Sequence, residues 1–74
     1  MYKSINNGKI IFKLDSLMKA KKLSKNKLSN MSGVRFDTIL RYCRGDITRI
    51  DLETICKLCD TLNCKIEDII EYKK

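Results

Sequence analysis

The sequence predicts an all-α domain, a compact bundle of four to five short helices. Two observations predict this class. Apolar residues recur at helical spacing along most of the chain, and Ser, Asp, Gly and Asn stand where such helices would begin and end. The chain has 74 residues, enough for one small core but not for a large enclosed active site.

The spacing of apolar residues predicts a first helix over about residues 13–22. A second helix is expected over about 24–31, because Ser24 is a good N-cap. It would bury Leu28 and Met31 against the rest of the bundle.

A break separates the second helix from a third, predicted over about 35–44 and ended by Gly45. Gly33 can adopt the positive φ that a tight turn requires, and Val34 follows it as an apolar plug. Two short helices joined by a tight glycine-containing turn form a helix-turn-helix, in which the small Ser29 lies where the helices cross. The third helix would bury Ile39, Tyr42 and the methyl group of Thr38.

The second half of the chain predicts two further helices. Asp51 is a suitable N-cap for the fourth, whose inner stripe comprises Leu52, Ile55, Leu58, Cys59 and Leu62. Asn63 can turn the chain in the left-handed region. A short fifth helix is expected at Ile66, Ile69 and Ile70, followed by a loose tail over 71–74.

The N-terminal segment, residues 1–12, lies outside the predicted domain of residues 13–70. Asn7-Gly8 is a dipeptide favoured in hairpin turns, and it separates Tyr2–Asn6 from Ile10–Phe12, which has strand character. An isolated hairpin is marginal in water. The segment is therefore either a strand or hairpin that packs on the domain or pairs with a second chain, or a tail.

Charge is distributed unevenly along the chain. The net charge is +7, but residues 1–45 carry eleven basic against two acidic side chains, or +9, and residues 46–74 carry five against seven. Such a field attracts polyanions, nucleic acid first and anionic membranes second. No apolar run approaches the length of a membrane span, so we expect a cytoplasmic protein without a membrane partner.

The composition also argues against catalysis and against a metal. The chain has no histidine, the residue that most often performs acid–base chemistry at neutral pH, and no serine or cysteine stands beside an evident base. We therefore expect no enzyme, cofactor or small-molecule ligand. The four cysteines, Cys43, Cys56, Cys59 and Cys64, are interpreted as reduced thiols; a zinc site and a redox sensor are the alternatives.

The spacing of motifs from about residue 13 to residue 70 resembles the phage repressor and Cro-type family of helix-turn-helix proteins, also called the XRE type. The matching motifs are Leu23-Ser24, Leu28-Ser29, Gly33-Val34, Thr38-Ile39, Arg41, Arg44-Gly45, Leu52-Glu53-Thr54 and Leu62-Asn63-Cys64. The resemblance implies a lambda-repressor-like bundle that binds operator-like double-stranded DNA, usually as a homodimer. Lys25, Ser32 and Arg35 depart from the family pattern, which leaves the sequence preference open.

The DNA contacts are expected on the second and third helices and in the loop that follows. Arginine can read guanine, and an apolar side chain can contact the thymine methyl group in the major groove. The candidates for reading bases are Arg35, Phe36, Asp37, Leu40 and Arg41. The candidates for binding phosphate are Ser24, Lys25, Asn26, Lys27, Thr38, Arg44, Thr48 and Arg49. The alternatives are a solvated basic face for the arginines, and core or dimer packing for Phe36 and Leu40.

These features predict a sequence-specific transcriptional regulator that acts by occupying its DNA site, with residues 35–44 as the recognition helix. A first alternative is a protein-interaction module, such as an antitoxin that also binds its own operator, since fold alone does not fix function. A second is a thiol or metal sensor built on the same fold.

Overall fold

The structure is a computed structural model that describes residues 8–74. A short strand, β1 (Lys9–Phe12), precedes four helices, α1 (Leu14–Ala20), α2 (Lys25–Ser32), α3 (Phe36–Arg44) and α4 (Leu52–Leu62). A single 3-10 turn (Ile66–Asp68) and a second strand, β2 (Ile70–Lys73), follow. The predicted helical bundle with a short N-terminal strand is confirmed.

The helix ends are fixed by the residues that the sequence indicated. The Ser24 hydroxyl accepts a hydrogen bond of 3.1 Å from the amide of Lys27, and the Asp51 carboxylate accepts one of 3.1 Å from the amide of Thr54. Gly33 and Asn63 both take left-handed backbone conformations, with φ of 78° and 51°. The predicted N-caps and helix stops are therefore confirmed.

One hydrophobic core joins all four helices. Its buried members are Leu14, Met18, Leu28, Val34, Ile39, Tyr42, Ile55, Leu58, Leu62 and Ile69. The predicted burial of Met31 and Leu52 is wrong, since they are 55% and 75% exposed. Met31 lies in the last turn of α2 and Leu52 is the first residue of α4, so each lies at a helix end, where helical spacing alone does not ensure contact with the core.

The end of the chain differs from the prediction. The expected fifth helix is only a 3-10 turn, and Ile70 and the supposed loose tail form β2, which pairs antiparallel with β1. Phe12 lies opposite Ile70, and Lys9 lies opposite Lys73. Alternating side chains at Ile70 and Tyr72 suit a strand once a partner strand is available. The hairpin predicted around Asn7-Gly8 falls largely outside the described residues.

An aromatic contact fixes the sheet against the end of α3. The ring of Phe12 packs edge-on against that of Tyr42, with centroids 6.2 Å apart. Gly45, which ends α3 with φ of 73°, passes so close that a Cβ there would lie 3.4 Å from the Phe12 ring. The sheet therefore supports α3 from behind, on its buried side.

Candidate nucleic-acid interface

The turn between α2 and α3 is fixed by three side-chain hydrogen bonds. The Ser29 hydroxyl donates to the carbonyl of Val34 at 2.6 Å, and the Ser32 hydroxyl donates to the carbonyl of Leu28 at 2.7 Å. Ser32 also accepts from the amide of Val34 at 3.1 Å. From the sequence, Ser29 was expected to matter only for its small size, and Ser32 stood out only as a departure from the family pattern. Both serines instead bind the end of α2 to the backbone of Val34, in the turn that precedes α3.

The helix α3 has one buried and one exposed side. Ile39 and Tyr42 are buried in the core. The residues Arg35, Asp37, Arg41 and Arg44 are exposed, Phe36 is 40% exposed, and Thr38 and Leu40 are half-buried. The structure thus brings most of the predicted base-reading side chains to the outward side of α3, with Leu40 only partly accessible. Their contact with DNA stays a prediction.

The first turn of α3 leaves its polar groups free. Arg35 precedes the helix in an extended conformation and makes no side-chain cap. Within residues 8–74 the carboxylate of Asp37, in the first turn, makes no hydrogen bond or ion pair. Its negative charge in the first turn still favours the helix dipole.

A shallow cleft lies between the last turns of α3 and the loop that follows. It has a volume of about 240 Å³ and is lined by Arg41, Asp46, Ile47, Thr48 and Arg49. The amide of Asp46 donates to the carbonyl of Arg41 at 2.9 Å, which directs the loop back along the helix. Arg41 is a predicted base reader, and Thr48 and Arg49 are predicted phosphate contacts. In the fold all three line one cleft.

The first turn of α2 carries the other predicted phosphate contacts. Asn26 and Lys27 are exposed, whereas Ser24 uses its hydroxyl as the N-cap. Lys25 is less accessible, with a side chain 34% exposed, and its ammonium lies 3.7 Å from the carboxylate of Asp15 in α1. The four predicted residues are therefore adjacent, but they differ in how accessible their polar groups are to a phosphate.

Asp15 is the residue of this region that sequence analysis missed. Its carboxylate lies 3.1 Å from the Lys19 ammonium. The pKa of Asp15 is lowered, chiefly by its hydrogen bond with Lys19 and to a smaller extent by the charge of Lys25. The spacing of four between Asp15 and Lys19 could have indicated the first pair. No local pattern indicates the second, because Lys25 lies on the next helix.

The cysteines are all free thiols. Burial, helped by the neighbouring Cys59, raises the pKa of Cys64 to about 11, and burial also raises the pKa of Cys43. The Sγ of Cys43 lies 3.7 Å from the sulfur of Met18, at the edge of the core. No group of three or more potential metal ligands occurs within residues 8–74.

No helix in the described part of the chain is long and apolar enough to cross a membrane. The family model of the Cro/C1-type helix-turn-helix DNA-binding domain matches residues 13–74, and the chain belongs to this family. This confirms the resemblance to phage repressors and Cro-type proteins. No curated protein matches the chain.

Two solved structures share the fold. The transcriptional regulator VanUg is 24% identical, with a TM-score of 0.73, and the alignment covers 99% of this chain and 96% of VanUg. A provisionally assigned DNA-binding protein from Bacteroides fragilis is 19% identical, with a TM-score of 0.70 over 85% of this chain and 100% of its own. At these identities the likeness establishes the architecture alone.

Proposed function

We propose that this protein is a sequence-specific transcriptional regulator that binds double-stranded DNA and acts by occupying its site, without catalysis. The observation that carries the proposal is the outward side of α3. It presents Arg35, Arg41 and Arg44, none of which forms an ion pair with a carboxylate within residues 8–74. Unpaired arginines on an exposed helix suit guanine edges and phosphates.

In this proposal α3 is the recognition helix and the flanking elements position it. Asn26 and Lys27 at the start of α2, and Thr48 and Arg49 after α3, are exposed and would bind phosphates. A homodimer is part of the proposal, because a single helix reads only one half-site and a two-fold dimer presents two such helices to successive major grooves.

The test is selection of bound duplexes from a random library, read by sequencing. We expect enrichment of one motif with two related halves, and binding of its scrambled version to be at least about a thousandfold weaker, as is typical of specific DNA-binding proteins. Lys57→Ala, on the exposed side of α4, serves as a charge control and should select the same motif. Binding without any enriched motif would contradict sequence-specific regulation. Absence of DNA binding at low salt would contradict the whole proposal.

A further inference from the structure

A carboxylate on α1 pairs with Lys25, a lysine that the sequence predicts to bind phosphate. Asp15 lies 3.7 Å from the Lys25 ammonium and 3.1 Å from that of Lys19. The side chains of Asp15 and Lys25 are 37% and 34% exposed, whereas that of Lys19 is 78% exposed. The Asp15–Lys25 pair is thus the more sheltered of the two and links α1 to the first turn of α2.

This arrangement differs from that of the neighbouring basic residues. Lys27 and Arg35 are exposed and have no carboxylate partner within the described residues. A phosphate that approaches Lys25 meets a negative charge already in place, and it must either displace Asp15 or share the ammonium with it. Either outcome lowers the free energy that the lysine can contribute to DNA binding.

We propose that Asp15 is a positioning residue that limits DNA affinity by holding Lys25 away from phosphate. The inference rests on the proposed function. Because a phosphate contact carries no sequence information, the restraint acts equally on the selected site and on random DNA. Removing it should release phosphate affinity and leave the preference among sequences unchanged.

The test compares Asp15→Asn with Glu71→Gln in the full chain. Glu71 is a matched control because its carboxylate also pairs with a lysine, Lys13, at 3.2 Å, and the two side chains are 43% and 35% exposed. It lies on β2, away from α1 and α2 in the chain.

Binding to the selected duplex and to a random duplex is measured by fluorescence anisotropy over a series of salt concentrations. Asp15→Asn should tighten both by about threefold or more at low salt. It should also steepen the log–log salt slope by about one unit for each phosphate gained. Glu71→Gln should change both affinities by less than about twofold.

A second pair of variants shows whether Lys25 mediates the effect. In a Lys25→Ala background, Asp15→Asn should lose most of its gain, because the ammonium that it releases is absent. Thermal melts by circular dichroism accompany each titration. Weaker binding by Asp15→Asn with a lowered melting temperature indicates a structural role and overturns the inference.

The outcomes also separate this inference from the proposed function. If the unaltered protein binds no duplex at low salt, the proposed function fails. If it binds and Asp15→Asn behaves like Glu71→Gln, or the gain persists fully without Lys25, only the role of Asp15 is overturned.

Discussion

Arg35 and Arg41 are exposed on the outward side of α3, whereas Lys27 is exposed in the first turn of α2. A phosphate contact carries no sequence information, but a bidentate base contact discriminates by about 1–3 kcal/mol. Lys27→Ala should therefore weaken binding to selected and random duplexes alike and lower the salt slope by about one unit. Arg35→Ala or Arg41→Ala should reduce the difference in affinity between the selected and the random duplex. At least one of the two should relax the preference at a single base pair.

Competition titrations with the selected and the random duplex distinguish a uniform loss of affinity from a loss of sequence discrimination. If both arginine variants stay folded and lose affinity uniformly, α3 is not the recognition helix. Phe36→Ala is a useful companion, because Phe36 carries no charge and is 40% exposed. It should reduce preference for a thymine without changing the salt slope. Loss of folding in that variant would instead place Phe36 among the packing residues.

The hydroxyl of Tyr42 is a buried polar group without a hydrogen-bond partner within residues 8–74. Burial raises the pKa of Tyr42. The nearby backbone amide of Asp51 opposes that rise, although it is not placed to donate a hydrogen bond to the hydroxyl. An unsatisfied buried hydroxyl costs free energy, so Tyr42→Phe should leave the free energy of unfolding unchanged or raise it by about 1 kcal/mol. Urea denaturation measures the difference. A loss above about 1 kcal/mol would show that the hydroxyl has a partner, such as a buried water.

Thiol reactivity should follow exposure and pKa. Cys56 is exposed, whereas burial raises the pKa of Cys64 from 9.0 to about 11. Since the thiolate is the nucleophile, at pH 8 iodoacetamide should alkylate Cys56 well before Cys64, and the Cys64 rate should keep rising toward pH 11. Peptide mass spectrometry after timed quenching follows each site. In urea the two should react alike; equal rates in the folded protein would contradict the described environment of Cys64.

At the scale of elements, β2 gives the clearest test of the fold. Ending the chain after Ile70 removes three of the four residue pairs of the β1–β2 sheet. Since each cross-strand pair contributes a fraction of a kcal/mol, we expect a loss of about 1–2 kcal/mol in the free energy of unfolding. Removal of Lys74 alone, which lies beyond β2, is the control and should have no effect. Equal melting temperatures for both truncations and the full chain would support the loose tail that the sequence indicated.

At the scale of the whole molecule, the proposed dimer and the basic half of the chain predict a strong salt dependence. The field arises from residues 1–45, which carry +9. A dimer that neutralises about eight phosphates should show a log–log slope near −7 between affinity and salt concentration. Light scattering should report a complex containing two chains of 8.6 kDa per duplex. A slope near zero would contradict binding to DNA phosphates. One chain per duplex would contradict the proposed homodimer.

The sequence by itself determined the features that depend on neighbours along the chain. Ser24 and Asp51 cap helices through amides three residues away, and Gly33 and Asn63 end helices through their own backbone conformations. Periodicity likewise identified most of the core, because residues three or four apart share one side of a helix. These local rules were sufficient to indicate the helix-turn-helix and its exposed arginines.

Only the tertiary structure decided which distant residues meet. The spacing of Ile66, Ile69 and Ile70 predicted a short helix, but Ile70 became part of β2 because β1, from the other end of the chain, lies alongside. The pairing of Asp15 with Lys25, and the cleft shared by Arg41 and Arg49, likewise depend on how helices and loops pack. Such contacts cannot be predicted from residue spacing or secondary-structure propensity, because their energies depend on distances that exist only after the chain has folded.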